Sequence, residues 1–143
     1  MTPITLKKIL AALPLPATGV TLAFAALGLL FQNCFCNLLP SPPAAAILYA
    51  VCGTIAAGIW LLLILKILFC FPEIREAMRN PLSASVSGTF PMATMLLAVY
   101  LEPLASGAAA VLWFAAVGLH AALIIFFTVR FMFPPKLGQI FPS

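Results

Sequence analysis

Charged side chains punctuate this sequence at a few places, and between them it stays apolar for longer than a soluble fold tolerates. No Asp, Glu, Lys or Arg occurs from Ile9 to Leu65, from Leu82 to Leu101, or from Pro103 to Val129. A membrane-crossing helix needs about 20 apolar residues at about 1.5 Å rise each. Four segments meet that length, at about 15–35, 44–69, 85–101 and 108–131. Between them lie Pro40-Ser41-Pro42-Pro43, the stretch from Pro72 to Pro81, and Glu102-Pro103. Proline lacks the amide hydrogen and restricts the residue before it, so these clusters end helices. The pattern predicts an all-α integral membrane protein, with four transmembrane helices paired as two hairpins in one unit over residues 1–143. The middle connection has room for a short surface helix, in which Glu76 and Arg79 are neighbours.

Composition agrees: 64% of the residues are hydrophobic and 7% charged. A chain of 143 residues keeps too much surface outside for a water-soluble fold of that makeup. The positive charges sort by connection. Lys7 and Lys8 precede the first span, Lys66, Arg75 and Arg79 flank the second connection, and Arg130 and Lys136 follow the fourth span. The first and third connections hold no Lys or Arg. The positive-inside rule therefore predicts that both termini and the middle loop are cytoplasmic. The net charge of +4 reports topology, and no nucleic-acid partner is expected. Lys7-Lys8 and Ala23-Phe24-Ala25 imitate a signal peptide, but Pro14 and Pro16 break the apolar stretch, so the first span is read as retained.

Polar and small residues inside a membrane mark helix contacts or water-lined paths. On the first span Thr18, Thr21, Ala25, Gly28 and Gln32 fall within about 80° of arc. On the third, Ser83, Ser87, Phe90 and Thr94 fall within about 60°, and Pro91 beside them is expected to kink the helix. These stripes suit either close helix packing or a water-filled path, and the pore-lining candidates are Thr18, Thr21, Gly28, Ser83, Ser87, Phe90 and Thr94. The second and fourth spans differ. Gly53-x-x-x-Ala57 and Gly118-x-x-x-Ala122 are packing signals, and Leu61 to Leu65 and Leu123 to Phe127 read as lipid-facing.

Little chemistry is on offer. His120 is the one ionisable side chain in the middle of a span, and without a second such group at its depth it reads first as a bonded, neutral imidazole. Cys34 and Cys36 lie too close for an unstrained local disulfide, and Cys52 and Cys70 read as small apolar fillers. No metal box, phosphate loop, nucleophile elbow or intramembrane carboxylate pair is present, so neither an enzyme nor a cofactor is expected.

Leu15-Pro16-Ala17-Thr18-Gly19, leading into Leu22 to Gly28, resembles the first helix of the tellurite-resistance/C4-dicarboxylate transporter family, which includes the plant slow-type anion channels. The stretch from Asn80 to Met92, continuing to Met95-Leu96-Leu97 and Tyr100-Leu101, resembles the loop and third helix of bacterial members. Gln139-Ile140-Phe141-Pro142-Ser143 resembles the approach to the family's fifth helix. The resemblance implies about ten spanning helices in five hairpins around a pore, usually as a trimer in a bacterial inner membrane. Odd-numbered helices would line the pore and even-numbered helices would form an outer ring. It implies transport of small anions such as C4-dicarboxylates or tellurite-like oxyanions, stabilised by hydroxyl dipoles, helix ends and positive potential. This chain matches only the first two hairpins, so it reads as truncated, its partners being lipid, anions, and the remaining hairpins or further copies. The gating phenylalanine of the family's ninth helix has no counterpart here, and Phe90 is not equated with it. The alternative is a non-transporting accessory subunit, or a remnant of a split transporter.

Overall fold

The computed structural model describes residues 10, 12–35 and 42–132. Lys7, Lys8, Cys36, Pro40, Lys136 and the segment from Gln139 to Ser143 lie outside the described residues. Within them, four helices are long and apolar enough to cross a membrane: Ala17–Cys34, Ala44–Phe69, Pro81–Leu101 and Ser106–Met132.

The first span is α1 (Ala17–Leu30), which loosens into a π-helical turn at Phe31–Phe35. The second is α2 (Pro42–Phe69), whose two prolines sit in the first turn, where a missing N–H costs no helical bond. Its 28 residues extend about 42 Å, beyond the roughly 30 Å hydrocarbon layer, so it tilts or emerges. The expected surface helix is α3 (Phe71–Ala77), and Arg79 pairs with Glu76 at 2.9 Å, both well exposed. The third span comprises α4 (Pro81–Ser87) and α5 (Thr89–Leu101). Asn80 caps it by accepting from the Leu82 amide at 2.9 Å, with Pro81 in the first turn. The α-helical ladder is interrupted at Gly88, three residues before Pro91, yet Gly88 stays helical at φ −60° and ψ −21°, so the span tightens without turning back. After the turn at Glu102–Leu104, the fourth span is α6 (Ser106–Phe127), closing in a π-helical turn at Thr128–Met132.

These helices are apolar nearly all round, so hydrophobicity does not choose their inner faces. Polar tips and small residues do. Tyr100 lies between the first two spans: its hydroxyl donates to the Ala25 carbonyl at 2.9 Å, and its ring stacks on Tyr49 at 4.4 Å. Only glycine fits beneath it. A Cβ on Gly28 would stand 2.1 Å from the Tyr100 hydroxyl, and one on Gly53 would stand 2.4 Å from its Cε1. Higher in the same seam, Ala25, Ala56 and Leu97 form the core, with Phe24, Ala57 and Trp60 against them.

Each remaining span also bonds to the third. Thr89 donates to the Thr18 hydroxyl at 2.6 Å, and Trp60 Nε1 donates to the Thr94 hydroxyl at 2.8 Å. His120 Nδ1 stands 3.2 Å from the Gly88 carbonyl, which can only accept, so Nδ1 carries the proton. His120 therefore ties the fourth span to the tightened turn of the third. Outside, the second and fourth spans present large apolar side chains such as Ile47, Leu61, Phe114 and Ile125, as lipid contact requires. Within the expected lipid-facing runs, Leu63 is instead 2% exposed and points inward. Gly53 and Ala57 are used for packing, whereas Gly118 has open space around it and Ala122 is exposed.

Two outcomes follow for the protein in detergent. Gly53→Ala drives a methyl into the Tyr100 ring and should cost about 1–3 kcal/mol, seen as a lowered unfolding midpoint that Tyr100→Leu partly restores. His120→Leu removes the donor to Gly88 and should cost about 0.5–2 kcal/mol, with His120→Asn losing less. An unchanged midpoint for either alanine or leucine variant contradicts the tie concerned.

Candidate functional site

The seven sequence candidates fall into two groups. Thr18, Ser87 and Phe90 come together on the wall of a cavity of about 440 Å³ between the hairpins, with Lys66 and Arg75 at its edge. Thr21, Gly28 and Thr94 do not reach it. Thr21 is fully buried and donates to the Ala17 carbonyl at 3.1 Å. Gly28 lies under Tyr100 and against Cys52. Thr94 donates to the Phe90 carbonyl at 2.9 Å while accepting from Trp60. Ser83 is half-buried beside them, and Pro91 is buried.

Every one of these hydroxyls with a described bond is engaged within the chain. Thr18 donates to the Leu15 carbonyl at 2.9 Å and Ser87 to that of Ala84 at 2.6 Å. Phe90 stacks on Trp60, with ring centroids 6.4 Å apart. The stripe on the third span thus faces the second span, the side on which the apolar outer helices lie. On the first span the stripe faces the second and third spans, and its last member, Gln32, is exposed.

Away from these packed faces, each odd-numbered span keeps an exposed one. On α1 it carries Gly19, Ala23, Ala26 and Leu30, within about 60° of arc; Ala23, Ala26 and Leu30 are exposed, and a Cβ on Gly19 would meet nothing within 4 Å. On the third span Ser85, Met92 and Val99 are exposed, about half a turn from the Thr94 stripe. Thr89 stands at the border, reaching from this face to Thr18. The surface is uncharged, built from small, hydroxyl and thioether side chains.

The fixed charges lie at the span ends. Lys66, Arg75, Arg79 and Arg130, with Glu73 and Glu76, are at the end where the second and fourth spans finish, and Glu102 is at the other. Lys66 is only 6% exposed, and its ammonium donates to the Leu13 carbonyl, tying the start of the first span to the end of the second. The sequence marks Lys66 only as a topology signal and assigns no bond to Trp60. The available signal was physical: an indole N–H or an ammonium at membrane depth needs an acceptor. Among the described residues, no group of three or more His, Cys, Asp or Glu could hold a metal ion. Cys34 is exposed, and Cys52 and Cys70 are buried.

No curated protein and no solved structure matches this sequence. The family model described as voltage-dependent anion channel matches residues 12–143, which takes in all four spans. With its multi-pass helical architecture and this match along nearly its whole length, the chain belongs to the voltage-dependent anion channel family, whose members are membrane channels and transporters for anions.

Proposed function

We propose that this chain supplies two of the inner helices of a path for small anions, C4-dicarboxylates or tellurite-like oxyanions, and that the path runs along the free face of the first and third spans. The observation carrying this reading is the exposure of an uncharged strip on each of these spans, Gly19, Ala23 and Ala26 on the first and Ser85 and Met92 on the third; the second span packs on the other side of the third, and His120 and Phe127 of the fourth border the strip. Small side chains leave width for a partly hydrated ion, and width and lining dipoles govern conduction. The Ser85 hydroxyl donates to the Leu82 carbonyl at 2.9 Å; on turning away from it, the hydrogen is free for a passing anion. Thr18 serves the path through Thr89. Thr21, Gly28, Ser83, Ser87, Phe90 and Thr94 support the wall from behind, and Pro91 sets the tight turn beneath Ser85 and Met92.

The protein works in this proposal as a channel or carrier and not as an enzyme. It sits in a bacterial inner membrane with the Lys- and Arg-rich end in the cytoplasm, where positive potential draws anions to the mouth. Further hairpins, or further copies of the chain in a trimer, complete the enclosure.

Anion flux into proteoliposomes carrying the full protein tests the lining. Ala26→Leu and Ser85→Leu should each cut flux several-fold at unchanged expression and folding. Ala122→Leu, on the lipid side, should leave it unaltered. Undiminished flux in both free-face variants contradicts the proposed path.

A further inference from the structure

The cavity of about 440 Å³ lies on the opposite side of the third span from the free face and has no part in the proposed path. Its wall is built from Leu63, Ile67, Leu119, Leu123 and Phe126 of the second and fourth spans, and the surface helix α3 lies across its end. The Thr18 and Ser87 hydroxyls on the wall are engaged within the chain, and the charged contribution is small and of one sign. Arg75 on α3 is exposed at the rim, while Lys66, 6% exposed, forms part of the wall. Among the described residues no carboxylate lines the cavity, and Glu76 is engaged outside it with Arg79. An apolar cavity between spanning helices, with the exposed Arg75 at its rim, complements an alkyl chain with a negative head. A free inorganic anion would gain from the cations but would have to displace water from a wall that offers it almost no donors.

We propose that this cavity holds an acyl chain of an anionic phospholipid, its phosphate at Arg75, as a wedge between the two hairpins. The lipid fills space that the helices leave open. Binding then favours anionic over zwitterionic headgroups because of Arg75, and depends on chain volume because of the cavity.

Native mass spectrometry of the full protein, titrated with phosphatidylglycerol or phosphatidylcholine of matched chains, tests this. Wild-type protein should prefer phosphatidylglycerol by about fivefold, the share one surface cation typically contributes. Arg75→Gln should abolish most of that preference, whereas Arg79→Gln, whose side chain is turned to Glu76, should keep it. Leu123→Trp narrows the cavity and should reduce occupancy by both lipids. Equal affinity for the two lipids, or equal loss in the two arginine variants, overturns the assignment. Displacement of bound lipid by millimolar inorganic phosphate also overturns it, since the site would then read a free anion.

Discussion

A polar group inside a bilayer has no water to turn to, and that constraint organises this molecule. The four spans are so evenly apolar that hydrophobicity leaves their rotation undetermined, and close fits such as Gly28 and Gly53 against Tyr100 fix only part of it. What remains to orient them is a small set of side-chain donors, each needing an acceptor: Tyr100, Trp60, Thr89, His120 and Lys66. Four of these five bonds involve the third span. It is the hub, and the other helices are placed by what it offers. Among the described residues, no buried side-chain nitrogen or oxygen is left without a partner.

The hub also accounts for the division of faces. Bonds to the first, second and fourth spans occupy most of the circumference of the third and leave one exposed strip, with Ser85, Met92 and Val99, bordered on one side by the fourth span. The first span has a matching strip of small residues. In a family of anion channels and transporters, an uncharged strip with satisfied hydroxyls is a physically reasonable wall, because a fixed counter-charge would hold the ion too firmly to release it. The cations instead stand at one end, where they raise local anion concentration.

The number of spans, the surface helix and the Glu76–Arg79 pair were legible in the sequence, because each depends on residues near one another in the chain. The polar stripes were legible as stripes. Which neighbour they meet was not. Spacing at 100° per residue says that Phe90 and Thr94 share a side, but not that the side belongs to Trp60, 34 residues from Thr94. The same limit separates the two small-residue motifs. Gly53 is required by the Tyr100 ring, while Gly118, with identical local pattern, meets nothing. The resemblance to tellurite-resistance/C4-dicarboxylate transporters agrees with the family match at the level of family, and pore-facing roles for individual residues belong to the proposal argued above.

Thiol accessibility along the third span is the most direct measurement of the central claim. Ser85, Met92 and Thr94 are changed singly to cysteine in the full protein with its native cysteines replaced, and a small, membrane-impermeant thiol reagent is added to sealed vesicles of each orientation. The account predicts labelling at 85 and 92, slowed by a transported anion, and none at 94, which lies behind Trp60. Labelling at 94 with 85 and 92 protected would place the water on the packed side and contradict it.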